Sequence, residues 1–281
     1  MSGQPPIPTN NSKSNIDRFL GFQHEYDRYR PQAPAVIIDL LTAYLGSRPS
    51  LVVDVGCGTG LSTVLWAPAA DSVIGVEPNP DMLSKALEKL DKHGDEAAPQ
   101  NLSFVQGYSN QLQLESDSVD IVTCSQSFHW MEPVSTLQEI ARCLRVGGVF
   151  AAYDCDWPLP LQQDIELRYN RLITKADDVL SQLVPAEERA HKWDKAGHLA
   201  RIEASGWFSF SREIVFHNNE ACDAERYVGL TLSQGGIQAV LKHGSSLLDA
   251  DIAEFTAAVE QYFQGRTLKV MVSYRMRIGQ K

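Results

Sequence analysis

The stretch LVVDVGCGTG, residues 51–60, constrains the fold of this 281-residue chain more than any other part of it. It begins with a mostly β-branched run, which is typical of a strand buried on both faces of a parallel sheet. Alternate glycines follow, and a helix is then predicted from Leu61 until Pro68 ends it. A buried strand that leads through a glycine turn into a helix indicates an open α/β sheet. Such sheets bind ligands outside the carboxyl ends of their strands.

Strands and helices continue to alternate along the first half of the chain. An amphipathic helix over residues 134–148 and a helix capped by Asp81 and closed by Gly94 separate apolar strands, which predicts right-handed crossovers. Near the end of the chain, two alternating segments are typical of antiparallel strands. The fold class is therefore predicted to be α/β, a Rossmann-like doubly wound seven-stranded sheet with an antiparallel last strand and a helical cap from insertions. The strands after the first are predicted at residues 72–77, 102–107, 119–125, 149–155, 209–218 and 267–279.

Changes in composition and periodicity divide the chain into six predicted parts. The first residues are polar and rich in Pro, Asn and Ser, and they lack the apolar core of a signal peptide. After Asp156 the strand signals stop and amphipathic helical patterns take over. The predicted parts are a disordered tail (1–15), a cofactor-binding α/β domain with N-terminal cap helices (16–156), a helical cap insertion (157–195), a return to the α/β domain (196–219), a second cap insertion (220–265) and the final strand (266–281).

Charge and cysteine content limit the partners and the compartment. The formal net charge is −10, from 35 acidic and 25 basic residues, and this balance disfavours nucleic acid as the main partner. No run approaches the roughly 20 apolar residues that a membrane helix needs, so no membrane partner is expected. The five cysteines are odd in number and lack a Cys-x-x-Cys pair, which favours reduced thiols in the cytoplasm. Oligomeric state is not readable from these features.

The glycine turn favours a nucleoside ligand over a dinucleotide. Gly56, Gly58 and Gly60 alternate, and Leu61 stands where a dinucleotide site has its third glycine. Glu77 ends the second predicted strand, where a carboxylate can accept both hydroxyls of a ribose. The alternative is that Glu77 only caps the following helix, but Asp81 is already a candidate for that cap.

Five motifs in order resemble a known family. VVDVGCGTGLST, VIGVEPNPDML, FVQG, SVDIVTCSQSFHW and IARCLRVGGVF are together similar to the class I S-adenosylmethionine-dependent methyltransferases. More narrowly, they resemble the small-molecule "type 11" group, which includes relatives of trans-aconitate methyltransferase. The resemblance covers about residues 26–153. It implies S-adenosyl-L-methionine as cofactor and S-adenosyl-L-homocysteine as product.

The resemblance also implies roles for individual residues. Asp54 would face the methionine amino group, Glu77 would hold the ribose hydroxyls, and Met82 would lie against the adenine. The segment GYSN departs from the family pattern at the adenine edge, where Tyr108 and Ser109 remain as candidates. The remaining implied cofactor contacts are Gly56, Cys57 and Gly58 beneath the methionine and ribose, Ser125 and Gln126 at the methionine end, and Tyr26 and Arg30 closing over the cofactor.

Candidates for the chemistry follow the fourth and fifth strands. His129 has an ordinary pKa near 6.5 and suits proton removal, but it can equally serve only as a structural hydrogen-bonding residue. Asp154 is the second candidate base, or a cap of the following helix. A Cys124/His129 metal pair lacks further ligands at metal spacing, so no metal site is predicted. The predicted substrate-pocket residues are Trp130, Tyr153, Asp154 and Trp157.

The sequence therefore predicts an enzyme that methylates O, N or C of a small molecule by in-line displacement in a capped pocket. Two alternatives stay open: a protein or RNA methyltransferase, and a non-catalytic S-adenosylmethionine-binding protein. The substrate is not specified by the sequence. In particular, no arginine cluster can be placed in the predicted pocket to receive the carboxylates of trans-aconitate.

Overall fold

The computed structural model describes residues 7–91 and 99–281, and a seven-stranded sheet lies at its centre. The strands are β1 (Leu51–Val55), β2 (Ser72–Glu77), β3 (Leu102–Gln106), β4 (Val119–Ser125), β5 (Leu144–Cys155), β6 (Phe210–Cys222) and β7 (Leu268–Gln280). Their order is β3-β2-β1-β4-β5-β7-β6. The first five are parallel, whereas β7 runs antiparallel between β5 and β6. This confirms the predicted fold class.

Helices cover both faces of this sheet and one of its ends. They are α1 (Lys13–Asp17), α2 (Gln23–Tyr29), α3 (Val36–Leu45), α4 (Pro80–Asp91), α5 (Pro133–Cys143), α6 (Gln163–Leu183), α7 (His198–Ala204), α8 (Ala224–Leu232), α9 (Gly235–Lys242) and α10 (Asp249–Phe263). On one face, Ile37 and Leu41 of α3 pack on the strands; on the other, Leu137 and Ile140 of α5 do so. Both α3 and α5 bury one apolar stripe, as their 3.6-residue period requires. Among the described residues, no helix is both long enough and apolar enough to cross a bilayer.

The cap has an apolar core of its own. Helix α6 packs against α9 and α10, and α8 packs against α10. The buried side chains of this core include Tyr169, Leu230, Ile237 and Phe255, and they meet the outer part of β7 at Val270. The two segments that interrupt the sheet therefore come together as one layer.

The site lies at the point where the strand order reverses. β1 has β2 on one side and β4 on the other, so the loops that follow β1 and β4 leave the sheet in opposite directions. A crevice opens there, outside the carboxyl ends of the strands. The glycine turn after β1, Glu77 at the end of β2 and the loop after β4 all face it.

Two local predictions are corrected by the structure. The helix expected from Leu61 is only a short 3-10 turn, Val64–Trp66, because the preceding hydroxyls of Ser62 and Thr63 bond to Asp54 and hold the chain there. The cap of α4 is Asn79 rather than Asp81: its Oδ1 accepts the backbone N–H groups of Asp81 and Met82. The expected end of α4 at Gly94 lies outside the described residues.

The fifth strand also begins earlier than predicted. Leu144 was expected on the apolar face of the preceding helix, but α5 ends at Cys143 and Leu144 pairs with Val119 in the sheet. An apolar residue suits either environment, so periodicity alone does not separate them.

The structure describes residues 7–15 of the predicted tail, whereas residues 1–6 lie outside the described part. The Asn11 side chain donates to Asn110 Oδ1 at 2.7 Å, and Asn15 Nδ2 donates to the Trp130 carbonyl at 2.6 Å. These side-chain hydrogen bonds connect the segment to the folded domain.

Candidate functional site

The glycine turn takes a backbone conformation that other residues rarely adopt. Gly56 and Gly58 have φ of 67° and 58°, in the left-handed region. A Cβ added to Gly56 would lie 2.7 Å from both Ser127 Cβ and Met131 Cε. The turn therefore needs glycine for its conformation and for close packing against the loop that follows β4.

Substitution of Gly56 by alanine is expected to lower the free energy of unfolding by more than the backbone strain alone would. The left-handed conformation alone costs about 1–2 kcal/mol for a residue with a Cβ. Displacement of Ser127, whose hydroxyl donates to the Val55 carbonyl at 2.7 Å, adds an overpacking cost of about 1–3 kcal/mol. Urea unfolding measures the sum. Gly46→Ala is the control, because Gly46 has φ of 78° and nothing within 4 Å of an added Cβ; equal losses in the two variants would contradict the packing argument.

The cleft beside the turn, here called the glycine-turn cleft, has a volume of about 1060 Å³ and opens partly to solvent. Its wall combines the turn with the ends of β2, β3 and β4 and with residues of the N-terminal segment. Ten of the twelve predicted cofactor contacts line it: Tyr26, Arg30, Gly56, Cys57, Gly58, Glu77, Met82, Ser109, Ser125 and Gln126. Asp54 and Tyr108 do not.

Glu77 is held in place by two backbone donors. One carboxylate oxygen accepts the Gly58 N–H at 2.8 Å, and the other accepts the Asn79 N–H at 2.9 Å. A carboxylate has about four acceptor sites, so acceptor capacity remains on both oxygens toward the cleft. Burial raises the pKa of Glu77 to about 7, against the lowering effect of these two N–H groups.

Asp54 lies in the sheet beneath the turn and away from the cleft wall. Its carboxylate accepts hydrogen bonds from Ser62 Oγ at 2.9 Å, Thr63 Oγ1 at 2.7 Å and Thr123 Oγ1 at 2.8 Å. Of these donors, Ser62 lines the cleft. Asp54 was expected to face the methionine amino group directly or through water; in the structure three hydroxyls surround its carboxylate.

At the end of β3, Tyr108 points into the protein and Ser109 reaches the cleft. Tyr108 is buried and forms an isolated antiparallel bridge with Gln111. Ser109 Oγ lies 2.8 Å from Thr136 Oγ1. Only the second of the two predicted adenine-edge residues thus meets the cleft.

A second cavity, here called the cap cavity, lies between the sheet and the helical cap. Its volume is about 2570 Å³, including open solvent. Of the residues predicted for the substrate pocket or the chemistry, His129, Trp130 and Trp157 line it. Tyr153 does not: it is 1% exposed and packs in the apolar core between β5 and α3.

The two cavities adjoin. The residues that line both of them are Ser12, Phe19, Tyr26, Arg30, Gln126 and Trp130. A group bound in the glycine-turn cleft can therefore meet a group bound in the cap cavity at this shared wall.

His129 belongs to a buried charged network at the sheet side of the cap cavity. Its Nδ1 lies 3.2 Å from Asp154 Oδ1, within reach of a hydrogen bond although not aligned for one. The Lys195 ammonium lies 2.9 Å from the same carboxylate oxygen. Burial lowers the pKa of His129 to about 3, more than Asp154 raises it, so the imidazole is neutral at physiological pH. Asp154 itself does not line the cavity.

His129, Asp154 and His198 also bring three potential metal ligands within 4.8 Å of one another. The Asp154 carboxylate is already opposed by Lys195, and Arg277 lies 3.9 Å from its second oxygen. His129, followed by the Lys195 ammonium, holds the pKa of Asp154 below its usual range despite burial. The group is therefore organised as an ionised carboxylate surrounded by cations and imidazoles.

Sequence reasoning missed the contribution of the N-terminal segment. Asn15, Ile16 and Phe19 line the glycine-turn cleft, and Arg18 lines the cap cavity. No strand end points to them: Asn15 lies in the predicted tail, and residues 16–19 lie in the predicted N-terminal cap helices, where no site residue was assigned. The adjacent Arg18 and Phe19 were the available signal in the sequence, but such pairs are common on solvated surfaces.

A family model described as a methyltransferase domain, of the type 11 group, matches residues 53–152. An uncharacterized methyltransferase of Mycobacterium tuberculosis, Rv3342, is 34% identical over 123 residues, 44% of this chain and 46% of that protein. The probable S-adenosylmethionine-dependent methyltransferase CRG1 of Saccharomyces cerevisiae is 30% identical over 128 residues, 45% of this chain and 43% of that protein. The chain thus spans less than half the length of these two relatives.

A further relative matches over most of its length. The uncharacterized methyltransferase C1B3.06c of Schizosaccharomyces pombe is 35% identical over 233 residues, which cover 75% of this chain and 81% of that protein. Among solved structures, one from Anaeromyxobacter dehalogenans, described as a candidate type II methyltransferase, has a TM-score of 0.64 at 19% identity. It covers 90% of this chain and 98% of its own, which shows a shared fold. The chain belongs to the S-adenosylmethionine-dependent methyltransferases, in the type 11 methyltransferase domain family.

Proposed function

We propose that this protein transfers the methyl group of S-adenosylmethionine to a small molecule held in the cap cavity. The observation that carries the proposal is the shared wall of Tyr26, Arg30, Gln126 and Trp130, where the glycine-turn cleft meets the cap cavity. Methyl transfer is an in-line displacement, so donor and acceptor must meet in one fixed alignment. Such alignment supplies up to about 7–11 kcal/mol of the barrier reduction in favourable cases.

The residues of the glycine-turn cleft fit the cofactor. Glu77 keeps free acceptor capacity for two ribose hydroxyls, and the left-handed Gly56 and Gly58 expose backbone to a ligand. Arg30 has a solvent-inaccessible Nε with no partner among the described residues, beside a wall that suits the methionine carboxylate. Met82 would lie against the adenine. When bound, the cofactor supplies a methyl group on a positively charged sulfur.

Asp54 would act through its neighbours. Because Ser62 both lines the cleft and donates to Asp54, the carboxylate fixes the rotamer of a hydroxyl that faces the ligand. The family role of Asp54 toward the methionine amino group would then be indirect.

His129 would be the base for an acceptor atom that carries a proton. Its imidazole lines the cap cavity, and Asp154 lies beside Nδ1, which leaves Nε2 for the acceptor. The imidazole is neutral, so its lone pair can accept a proton, and the ionised Asp154 partly offsets the burial that lowers its pKa. The alternative is that His129 only braces the cap: its carbonyl accepts the Trp193 N–H at 2.8 Å.

A small acceptor is favoured over a macromolecule by the cap and by charge. Helices α6 and α9 of the cap and the N-terminal segment line the cavity, and the chain carries a net charge of −10, which disfavours RNA. The finer relation to trans-aconitate methyltransferase belongs to this proposal and rests on the motif resemblance alone. A protein or RNA substrate, or binding without transfer, remains the alternative function.

One experiment separates these functions. The protein is incubated with methyl-labelled S-adenosylmethionine and a cell extract, and the products are divided by acid precipitation. Label in acid-soluble products that separate from unreacted S-adenosylmethionine supports the proposal, and label in the precipitate supports a protein or RNA substrate. S-adenosylhomocysteine binding in isothermal titration without any labelled product supports a non-catalytic cofactor-binding protein.

Cofactor binding is expected to strengthen as pH rises through 7. With a pKa of about 7, Glu77 holds its proton below that pH in the cofactor-free protein, and the protonated form offers fewer acceptors to the ribose. One pKa unit corresponds to a tenfold change, so the Kd for S-adenosylhomocysteine is expected to be about tenfold higher at pH 6 than at pH 8. Isothermal titration across this range measures it. Glu77→Gln, the control, should bind more weakly with no such slope; a wild-type Kd that stays constant would contradict the assignment.

A further inference from the structure

The cap cavity has the opposite charge balance to the protein that contains it. Its lining has more basic than acidic side chains, within a chain of net charge −10. The basic residues are Lys13, Arg18, Arg30, Arg189, Lys192, Lys195 and Lys242, and the acidic residues are Asp17, Asp177, Glu187 and Glu188. Two of the cations are neutralised within the protein, since Lys13 pairs with Asp17 and Lys195 with Asp154.

Arg18 stands out among the others because it is held rigidly and lacks a counter-ion. Its guanidinium lies 3.0 Å from the centroid of the Trp130 ring and 4.1 Å from that of Phe19. Its NH1 is inaccessible to solvent and has no hydrogen-bond partner among the described residues. No described carboxylate forms an ion pair with it. Stacking fixes the plane of a guanidinium and leaves its N–H edge as a fork for an oxyanion.

Lys192 lies close to the same indole. Its ammonium is 5.9 Å from the centroid of the Trp130 ring, and within the described part of the chain it too has no ion-pair partner. Burial, followed by repulsion from Lys195 and Arg18, lowers the pKa of Lys192. Two unpaired cations next to one ring repel each other, and an anion between them would relieve that repulsion.

Arg30 does not supply this anion site. Its NH2 donates to the Ser233 carbonyl at 2.8 Å, and it lines the glycine-turn cleft as well as the cap cavity. In the proposed function it faces the methionine carboxylate. The Arg18 guanidinium lines the cap cavity but not the glycine-turn cleft. It would therefore bind a second anion, which the cofactor does not provide.

We infer that the acceptor carries an oxyanion, a carboxylate or a phosphate, and that Arg18, stacked on Trp130 with Lys192 beside it, binds this group in the cap cavity. The identification of the bound molecule as the methyl acceptor rests on the proposed function, whereas the anion site itself does not. Because His129 is useful only to an atom that carries a proton, the oxyanion is a binding group distinct from the methylated atom. Arg18 would thus determine which small molecules the cavity selects.

Binding of simple probes tests the site without turnover. The protein saturated with S-adenosylhomocysteine is titrated with glutarate, inorganic phosphate and the neutral glutaramide at constant ionic strength. Intrinsic fluorescence is the readout, since Trp130 and Trp157 line the cavity. We expect glutarate or phosphate to bind and Arg18→Gln to weaken that binding by about tenfold or more, as for loss of a charged hydrogen bond. The stronger of the two anions identifies the oxyanion.

Two variants keep the test decisive. Arg18→Lys retains the charge but not the fork and is expected to weaken binding by at least about threefold, even if Arg18→Gln fails to fold. Arg212→Gln removes a guanidinium on β6 that donates to Tyr44 Oη, outside both cavities, and is expected to change nothing. Equal binding of glutaramide, no anion binding, or anion binding unaffected by the Arg18 variants would overturn the inference.

Turnover adds an outcome that separates this inference from the proposed function. Labelled small-molecule products are passed over an anion exchanger at neutral pH, and we expect them to be retained. Labelled products that all flow through would contradict the inference that the acceptor carries an oxyanion, while leaving methyl transfer intact. Arg18-dependent anion binding with no labelled product would leave the anion site intact and contradict the proposed methyl transfer.

Discussion

His129→Gln is expected to lower the turnover number by about 10²-fold or more while leaving the Kd for S-adenosylhomocysteine unchanged. General-base catalysis contributes typically about 10²–10⁴-fold, and glutamine cannot take the proton. His129 lines the cap cavity but not the glycine-turn cleft, so cofactor affinity has no reason to change. Single-turnover kinetics with the labelled acceptor and titration with the cofactor product measure the two quantities.

His198→Gln is the matched control for this change. His198 is buried and lies 3.9 Å from Asp154, in the same network, but it does not line the cavity. Its turnover should stay within a few-fold of wild type. If His129→Gln also turned over at the wild-type rate, His129 would be a structural residue that holds the Trp193 backbone through its carbonyl.

The second large effect is expected for cofactor binding in Glu77→Ala. Loss of the carboxylate removes both proposed ribose contacts, and we expect the Kd for S-adenosylhomocysteine to rise tenfold or more, where each decade is about 1.4 kcal/mol. The change also leaves the Gly58 and Asn79 N–H groups without their acceptor, a cost of about 1–3 kcal/mol for each group that stays buried and unpaired. Isothermal titration gives the Kd, and circular dichroism establishes that the variant is folded.

Two further variants, Glu77→Gln and Glu115→Ala, serve as comparisons for Glu77→Ala. Glutamine keeps the size and one acceptor oxygen, so its Kd should lie between those of wild type and Glu77→Ala. Glu115 is exposed and outside the cleft, and its removal should have no effect. A folded Glu77→Ala protein with wild-type affinity would rule out the ribose assignment.

The parts of the fold that depend on local pattern could be predicted from the sequence. Residues 51–60 show why: a strand buried on both faces needs continuous apolar residues, and the turn after it needs glycine. Where two structures accept the same residues, the prediction fails. Leu144 is as well buried in a strand as on a helix face, and Thr63 is directed by Asp54 rather than by its own helix propensity.

The same division holds for the candidate site. Glu77, Ser125 and Gln126 follow strand ends, and parallel strands bring their carboxyl ends to one edge, so their meeting in the cleft was predictable. Tyr153 ends a strand too, but the alternation of the pleat turns its side chain into the core. Arg18 follows no strand, and only tertiary hydrogen bonds of its segment bring it to the cavity.

Asn15 has a consequence for how the two cavities open. Its Nδ2 donates to the carbonyls of Trp130 and His191 at 2.6 and 2.9 Å, and its Oδ1 accepts the His191 N–H at 2.7 Å. One side chain thus ties α1 to the shared wall and to the rim of the cap at the same time. Ser12 and Phe19 of the same segment line both cavities. A displacement of this segment would therefore break the Asn15 bonds and open the glycine-turn cleft and the cap cavity together.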